Sequence, residues 1–484
     1  MQEDAYRALT SALKLYEELL GRRSNIKTYD DYYAGNQALN FASKEWAEFH
    51  RNQYASFSDN WVATVADALN ERLRVDGVRL PKGSQQDEDR LWGWWLDNNM
   101  ESESSQGFLE SIIAARSFVI AWSPDGETPV LTWEHPSQVI VGYQADGSGR
   151  KTGALKTWVD EDYEHLVYFT RHAIWKWRRP YLELTQGNQT PSGLQIIGDI
   201  SVDVGGWDAW QPEEDDVWPV PNPLGVIPVV EVPNRPRLQT GPVSDVAGAV
   251  SMQDAVNLLW AYLFGAADYA SLPARVVMGQ EAPKIPLLDK DGQKVGEQNI
   301  PLSELQKGRI LWLTGQDAKI AEWSRADLKV FTDIIEVAVG HLGGQTRTPA
   351  HYFVANKGLS NINGETLIAT ETPLVKKADE FALYSQKPMS EIWQIMALAV
   401  GDVKLAVAAR RAQTTFANPG IRSESQLGDY VLKLRQAGYP FGYILEKLGE
   451  SPGEINRILE MKRQEAYDPQ FQDLVERINE DVDY

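Results

Sequence analysis

The sequence predicts an α+β fold with long helices and a separate antiparallel sheet. Apolar residues recur at helical spacing through roughly the first hundred residues, whereas from Phe118 to Trp177 the apolar period changes to two. Farther along, two long amphipathic helices flank an insert with strand and turn signals, residues 273–323. Helices and strands are thus segregated along the chain, which is typical of α+β folds and not of a parallel α/β sheet.

Composition limits the kinds of protein that this chain can be. The 484 residues are 43% hydrophobic, enough for a large core, and they include no cysteine, which excludes disulfides and thiolate chemistry. The 68 acidic and 47 basic residues give a net charge of −21, so a tight grip on DNA phosphates is not expected. The sequence shows neither a signal peptide nor an apolar run of about eighteen residues, and we expect a soluble protein made in the cytoplasm.

The N-terminal region is predicted to be helical. An opening helix covers residues 3–20, and an aromatic turn follows at residues 29–35. A second helix covers residues 59–73 with Asp59 as its N-cap, because a carboxylate at that position accepts free amide hydrogens. Two further helices are predicted at residues 88–100 and 104–116.

Alternating apolar residues predict an antiparallel sheet after these helices. Six strands are separated by Asp- and Gly-containing turns: residues 118–122, 130–133, 138–143, 154–159, 165–170 and 173–177. Residues 180–216 are polar and rich in turn signals, which predicts a solvated loop. The proline-rich stretch 219–236 is predicted to be a stiff, extended connection.

Long helices dominate the second half of the chain. One is predicted at residues 243–270, and a second runs from about Ser324 to Gly343-Gly344, where glycine would supply a left-handed cap. The insert between them has predicted strands at residues 274–278 and 310–313. After an irregular loop, residues 345–363, a third helix begins near Asn363, and Pro373 is expected to bend it.

A small helical module is predicted after Asn418-Pro-Gly420. Ser423 and Gln426 form a capping box at its first helix, and Gly438 and Pro440 make the turn to the next. Ser451-Pro-Gly-Glu454 combines an N-cap, a proline at the first helical position and a capping glutamate. Beyond Gln464 the sequence becomes acidic, and we expect a mobile tail.

The sequence lacks the motifs of common catalytic and cofactor sites. GxxxxGK[ST], GxSxG, HExxH and GxGxxG are all missing. His165 with His172 and the acidic run 213–216 are better explained as structural histidines and a solvated loop than as a metal or catalytic site. Trp92 and Trp95 share a helical face, which favours packing over sugar stacking. We therefore expect no enzymatic activity, no cofactor and no bound metal.

Four groups of short motifs occur in order along nearly the whole chain. They are Tyr32-Tyr-Ala-Gly35; Asn60-Trp-Val-x-x-Val with Leu73-Arg-Val-Asp-Gly77; Arg347-Thr-Pro-Ala-His-Tyr352 with Asn361-Ile-Asn-Gly-Glu365; and Gln426-Leu-Gly-Asp-Tyr-Val-x-Lys433 with Ala437-Gly-Tyr-Pro440. Each motif alone is weak. Their order resembles the portal proteins of tailed double-stranded DNA bacteriophages, of the siphophage type.

The resemblance implies a portal fold with five parts. They are an α+β wing (residues 1–237 and 364–418, the latter with the kinked helix), a two-helix stem (238–272 and 324–343), a small β-containing clip (273–323), a tunnel loop (344–363) and a helical crown with an acidic tail (419–484). The polar segment 180–216 does not align with features of that family.

The resemblance also implies a function. Portal proteins form rings, typically of twelve subunits, at one capsid vertex of the virion, and serve as head-to-tail connectors for DNA packaging and ejection. The implied partners are the major capsid protein and scaffold, the large terminase, head-completion proteins, and double-stranded DNA that passes without sequence recognition. The chain would be made in the cytoplasm of the host bacterium. A separate motor agrees with the missing nucleotide motif.

Two groups of residues are candidate sites under this interpretation. The tunnel loop carries Arg347 and Lys357 but no carboxylate, and repeated around a ring these cations would meet DNA phosphates weakly. Gly343, Gly344 and Gly358 would allow the loop to hinge.

The second candidate site is in the clip. Asp289, Lys290, Asp291 and Lys294 lie at or beside a predicted turn between strands, at the far end of the two stem helices. We hypothesise that they belong to the docking surface for terminase and then for the connector, where strand edges are available for pairing.

Two other classes of protein remain open at this stage. A carbohydrate-active hydrolase with an Asp/Glu pair and Trp platforms would explain the acidic and Trp counts but not the order of helix, insert and helix. Another structural protein of the virion is the third alternative. The mass of the native assembly separates a ring of about twelve subunits from a monomeric enzyme.

Overall fold

The computed structural model describes residues 2–37, 57–181, 206–211, 217–271, 275–278, 284–288, 293–299, 310–313, 327–353, 364–420, 424–448 and 452–467. Helices and strands are both abundant, as the predicted α+β class requires. The chain divides into two compact units. The larger comprises Met1–Gln37, Asn60–Ser251 and Leu342–Tyr484, and the smaller comprises Ala38–Asp59 and Met252–His341.

The first helix is longer than predicted. Helix α1 (Gln2–Ala34) continues through the expected aromatic turn and ends at Gly35, whose φ of 73° is left-handed. The prediction of a turn was wrong because the aromatic stretch packs against neighbouring elements as a helix: Tyr32 is buried, and the Tyr33 hydroxyl donates to Asp67 of the following helix at 2.9 Å. Burial of an amphipathic face stabilises a helix more than local propensity does.

Helix starts are set by side-chain caps. Helix α2 (Trp61–Asn70) is capped by Asn60, whose side chain accepts a hydrogen bond from the Val62 amide, so the predicted cap at Asp59 was wrong by one residue. Helix α3 (Gln85–Asp97) starts from a reciprocal capping box between Ser84 and Asp87. Helix α4 (Met100–Ala114) follows directly, and both helices lie a few residues earlier than predicted.

The six predicted strands exist, but they belong to two sheets. They are β2 (Arg116–Trp122), β3 (Val130–Glu134), β4 (Val139–Tyr143), β5 (Lys151–Val159), β6 (Tyr163–Phe169) and β7 (Ala173–Pro180). Strands β4 to β7 pair antiparallel in sequence order, with β8 (Asp208–Ala209) and β9 (Val220–Pro221) added along β7. Strands β2 and β3 pair instead with β10 (Val229–Pro233), so the single predicted sheet was wrong.

Both faces of the six-stranded sheet are covered. Along β6, Leu166 and Tyr168 pack into a cluster with α1 residues, whereas the intervening Val167 and Phe169 pack against β2 and β10. This division follows from the two-residue period of a strand. The sheet is therefore the central layer of the larger unit, between α1 and the three-stranded sheet.

The segments predicted as loop and extended connection are partly ordered. Trp207 is buried against Tyr16 of α1, and β8 pairs with Trp177 and Arg178, so residues 206–211 are not a solvated loop. The proline-rich connection contains β10, in which Val229 pairs with Ile120. Residues 182–205 and 212–216 lie outside the described residues.

The smaller unit contains most of two helices and the strands of the insert between them. Helix α5 (Val250–Ser271) starts later than predicted, and helix α6 (Leu328–Thr346) extends past the expected stop. Between them, β11 (Arg275–Met278) pairs parallel with β14 (Ile310–Leu313), and β12 (Lys284–Leu288) pairs antiparallel with β13 (Lys294–Asn299). Asp59, the predicted cap of α2, instead accepts a hydrogen bond from the Trp260 indole of α5 at 2.7 Å.

Helix α7 (Gly364–Ala399) is a central core element of the larger unit and contains both Pro373 and Pro388. Its Trp393 is fully buried, 4.9 Å from the ring of Trp95. Helix α8 (Val403–Ala409) packs against α7 and leads into β15 (Gln413–Phe416), which pairs antiparallel with β1 (Val75–Arg79). None of the helices in the ranges given above is both long and apolar enough to cross a membrane.

Three terminal helices match the predicted helical module. They are α9 (Glu424–Gln436), α10 (Phe441–Leu448) and α11 (Pro452–Tyr467). Gly438, with φ of 81°, ends α9, and the Tyr439 amide donates to the Leu434 carbonyl in a Schellman motif. Helix α11 continues three residues beyond Gln464, where the sequence had indicated a mobile tail, and residues 468–484 lie outside the described residues.

The contact between α4 and β3 gives a test of core packing. A Cβ atom added at Gly107 would lie 2.0 Å from the Trp133 ring, so we expect Gly107→Ala to force that ring to shift and to lower the free energy of unfolding by about 1–3 kcal/mol. Urea unfolding would measure the change. Gly93→Ala in α3 is the matched control, since a Cβ added there would have nothing within 4 Å and the change should stabilise the helix by up to about 1 kcal/mol. Equal effects of both substitutions would contradict this packing.

Candidate functional site

The chain leaves helix α6 through a Schellman turn centred on an arginine. Gly343 and Gly344 lie inside the helix, so the prediction that they stop it was wrong. The left-handed residue is Arg347, with φ of 59°, and the Thr348 amide donates to the Gly343 carbonyl at 3.0 Å. A left-handed conformation costs a residue other than glycine about 1–2 kcal/mol, so other interactions hold Arg347 there.

The first part of the predicted tunnel loop is packed against the protein. Residues Ala350–Tyr352 form a 3₁₀ turn, and Thr348 and Phe353 are buried. The Phe353 ring meets Trp61 edge-on at 5.6 Å, and a Cβ at Gly343 would come within 3.0 Å of it. Gly343 therefore permits a close approach and is not a hinge. Residues 354–363, with Lys357 and Gly358, lie outside the described residues.

A buried lysine of α7 holds the end of α6. The Lys377 ammonium is 2% exposed and donates to the Thr346 carbonyl at 3.1 Å, one of the carbonyls that a helix end leaves without a partner. It also lies 3.2 Å from the carboxylate of Asp245, which is equally buried and bonds to Arg235 as well. Burial lowers the pKa of Lys377, and Asp245 acts against that shift.

Arg347 is paired with a carboxylate. Its guanidinium lies 2.9 Å from Glu380, one turn beyond Lys377 on α7, and both side chains are partly exposed. The hydrogen bond from Arg347 lowers the pKa of Glu380. Arg347 thus fixes the turn after α6 to α7. The sequence did not predict this pair, because only the carboxylates within the loop were considered there.

A second ionic cluster lies beside the 3₁₀ turn. Glu371 of α7 is 2% exposed and binds Arg72 at 2.6 Å and His351 at 2.7 Å. Arg72 also donates to the Tyr352 hydroxyl at 2.8 Å and to the Pro419 carbonyl at 2.5 Å. Glu371 and Arg72 together therefore join the loop, the turn after α2 and the segment that leads to α9.

Sequence reasoning missed this charged junction, although one signal for it was present. Lys377 lies at helical spacing between Leu374 and Phe381, on the face of α7 that is buried. A charged residue on an apolar stripe indicates a buried partner, because an unpaired ion there is very costly. Its partner Asp245 precedes a helix in the sequence and has no distinguishing pattern.

The clip residues are only partly described. Lys294 opens strand β13 and pairs with Leu288 in the antiparallel register. Asp289, Lys290 and Asp291 follow β12 in the sequence and lie outside the described residues. The proposed docking role of these four residues stays a prediction.

One group of side chains in the described ranges has metal-ligand spacing. Asp30, Glu110 and His135 place ligand atoms within 4.8 Å of one another. The His135 Nδ1 accepts the Ser137 amide hydrogen at 3.2 Å, which leaves the ring proton on Nε2, 3.2 Å from Glu110. The His135 ring is thus held by contacts within the chain. The two histidines that the sequence suggested as metal ligands are in different environments. His165 is buried and bonds to Asp160, whereas His172 is exposed.

The comparison with protein families decides the assignment. A sequence profile described as Phage portal protein, SPP1 Gp6-like, matches residues 13–467. The chain belongs to this family. It is a portal protein by family, in agreement with the resemblance carried by the short motifs.

Individual relatives agree with the family assignment. This portal protein is 24% identical over 383 residues to the portal protein of Mycobacterium phage L5, which covers 76% of this chain and 70% of the relative. It is 24% identical over 328 residues to the portal protein of Mycobacterium phage D29, covering 65% of this chain and 59% of the relative.

Solved structures give more distant matches. A chain in the neck of an empty GTA particle computed with C6 symmetry matches at a TM-score of 0.42 and 11% identity, covering 84% of this chain and 94% of that one. A chain in the neck of the native GTA particle computed with C12 symmetry gives 0.41 and 10%, covering 85% and 94%.

The tryptophans of this portal protein do not support the alternative of a carbohydrate-active hydrolase. Trp94 and Trp95 are buried, and Trp92 stacks on Trp95 with ring centroids 6.3 Å apart. Trp95 packs the helix against Trp393 of α7, Trp94 is covered by Arg90, and the three rings do not form an open platform. The acidic run 213–216, considered as a catalytic pair, lies outside the described residues.

The buried lysine gives a direct test of the junction. Lys377→Met keeps an apolar stem of similar length but leaves Asp245 with Arg235 alone and the Thr346 carbonyl without its donor. Removing one partner of a buried ion pair costs about 3–5 kcal/mol, and we expect a loss of that order in chemical unfolding.

Lys376→Met is the matched control. Lys376 is 70% exposed and forms only a surface pair with Asp379, and such substitutions change stability by within about 0.5 kcal/mol. If both variants unfold at the same denaturant concentration, the Lys377 contacts do not stabilise the junction.

Proposed function

We propose that this chain assembles into a ring of about twelve copies at one capsid vertex and serves as the conduit for DNA packaging and ejection. The observation that carries the proposal is the match of the portal family over residues 13–467. Both curated relatives are named portal proteins. In this proposal the parts are those implied by the resemblance: wing, two-helix stem, clip, tunnel loop and crown.

The proposed partners follow from that role. They are further copies of this chain, the major capsid protein and scaffold, the large terminase, head-completion proteins, and double-stranded DNA without sequence specificity. The protein would reside in the virion after synthesis in the cytoplasm of the host bacterium. We propose a structural role without catalysis.

An exposed apolar stripe on α6 supports self-association. Val330, Ile334 and Val337 follow one another at helical spacing and are 51%, 46% and 59% exposed. The opposite side of the helix is buried through Ile335 and Val339. An exposed stripe of three β-branched residues suits contact with the same helix region of a neighbouring copy, since helices bury such stripes against one another.

The charge of the chain suits passage of DNA. A net charge of −21 per copy, repeated around a ring, repels phosphates and lets a duplex slide without adhesion. Weak and reversible contact then requires only a few cations near the channel. We propose that residues 354–363, with Lys357, make that contact, and that the Lys377 and Glu371 clusters fix the base from which they depart.

The clip is the proposed docking surface. Among the described residues, β12–β13 and β11–β14 are two-stranded sheets, whose outer edges would suit pairing with another chain. Asp289, Lys290, Asp291 and Lys294, at or beside the predicted turn, would meet terminase first and the head-completion protein later. This proposal rests on the position of the turn in the chain.

The stripe on α6 provides a test of assembly. Native mass measurement of the purified chain should give about twelve times 54.4 kDa. Ile334→Asp should shift the protein to smaller species, because each interface would bury an unpaired carboxylate at a cost of several kcal/mol. Thr332→Asp adds the same charge on another side of the helix and should still assemble. A monomeric wild type, or full rings from Ile334→Asp, would contradict the proposal.

Arg347 could position the loop or contact DNA, and exchanging the charges of its ion pair with Glu380 distinguishes these two roles. Arg347→Glu places two carboxylates side by side, whereas Arg347→Glu with Glu380→Arg restores the pair in the opposite sense. If Arg347 only positions the loop, the single variant should reduce packaged DNA length and the swap should restore it. If Arg347 itself contacts DNA, the swap should fail as well. Lys357→Glu tests the second cation and should reduce DNA retention while rings still form.

A further inference from the structure

Helix α9 is much less covered than its sequence pattern requires. Leu427, Tyr430, Val431 and Leu434 recur at steps of three and four residues, which places them on one face of the helix. None of residues 427–436 is buried, and Tyr430 is 41% exposed. A helix of this length depends on burial of its apolar face for stability, so this face lacks a partner in the described part of the chain.

The other helices of the module cover only part of this face. Helix α10 contacts both α9 and α11, and it buries Ile444 and Leu445 in doing so. The last turn of α9 carries Lys433 and Arg435. Arg435 lies over the Phe441 ring at 5.6 Å, and in the described ranges neither cation is within ion-pair distance of a carboxylate. The open face thus combines an apolar stripe with two cations that lack an acidic partner there.

The sequence after α11 has complementary chemistry. Residues 468–484, which lie outside the described residues, contain Phe471, Leu474, Val475 and Ile478 at the same three- and four-residue steps. The same segment contains six Asp or Glu residues and one Arg. Its apolar pattern matches the stripe of α9, and its net charge is opposite to that of Lys433 and Arg435.

The segment is also long enough to reach α9. Helix α11 ends at Tyr467, and α10 lies between α11 and α9 as the helix that contacts both. Arg435 of α9 and Lys462 of α11 lie over the same Phe441 ring, at 5.6 and 4.1 Å, so the end of α9 is within about 10 Å of α11 there. Tyr467 lies about 7.5 Å farther along α11, and the four residues from Tyr467 to Phe471 span up to about 14 Å when extended.

We propose that residues 468–484 bind along the open face of α9 in the same chain, as the missing partner of the module. Phe471, Leu474, Val475 and Ile478 would cover the stripe from Leu427 to Leu434. The carboxylates of the segment would lie near Lys433 and Arg435. Binding of this segment to α9 involves only the terminal part of one chain and does not depend on ring formation.

Hydrogen exchange of the full chain tests this proposal. Deleting residues 468–484 should speed exchange of the α9 amides at least tenfold and leave those of α4 unchanged. Leu474→Asp with Ile478→Asp should reproduce the deletion, because it puts charge on the apolar positions. Gln472→Asp with Asn479→Asp adds the same charge at polar positions and should leave exchange in α9 as in the wild type.

A peptide of residues 468–484 provides a second measurement. Added to the shortened chain, it should restore protection of α9, and Lys433→Glu with Arg435→Glu should weaken its affinity at least tenfold. Unchanged protection after the deletion would overturn the proposal. Protection that survives the deletion and rises with protein concentration would also overturn it, because a second copy would then cover the stripe.

Discussion

The ammonium group of Lys377 is the constraint on which the base of the loop depends. It is enclosed by the carboxylate of Asp245 and the carbonyl of Thr346, so the segment before α5, the end of α6 and the middle of α7 must meet at one point. An ion in this position tolerates little displacement, because each lost contact leaves a buried charge unpaired. The left-handed turn at Arg347 and the packing of Phe353 against Trp61 are arranged around this point.

Local patterns in the sequence determined much of the fold. The two-residue period identified the six strands, and Ser451-Pro-Gly-Glu454 located the start of α11. What the sequence did not reveal depends on partners distant along the chain. The division of strands between two sheets follows from pairing of β2 with β10, which no local period encodes. Gly343 was misread as a helix stop because its cause, the close approach of Phe353, is a tertiary contact. For the same reason Lys377 was recognisable as unusual, but Asp245 was not identifiable as its partner.

Internal ion pairs also change how the acidic composition should be understood. Several carboxylates that are less than a tenth exposed are bound by cations: Glu371 by Arg72, Glu231 by Arg116, Glu134 by Lys156, Glu164 by Arg179, and Asp245 by both Arg235 and Lys377. Each such pair removes charge of both signs from the surface. These pairs leave the net charge of −21 unchanged, but the surface carries fewer cations than the composition alone implies. An acidic surface of this kind suits a portal protein, whose proposed cargo must pass without adhesion.

The Lys377 junction has a consequence for the order in which the chain folds. Its three components are far apart in sequence, and the ammonium stays hydrated until all of them are present, since burying it alone costs several kcal/mol. A ribosome delivers Asp245 and the end of α6 well before α7 emerges. Until then Asp245 has Arg235 as its only cation and the last carbonyls of α6 remain solvated. Closure of the junction is thus a late event in folding, and it distinguishes a chain translated through α7 from a shorter one.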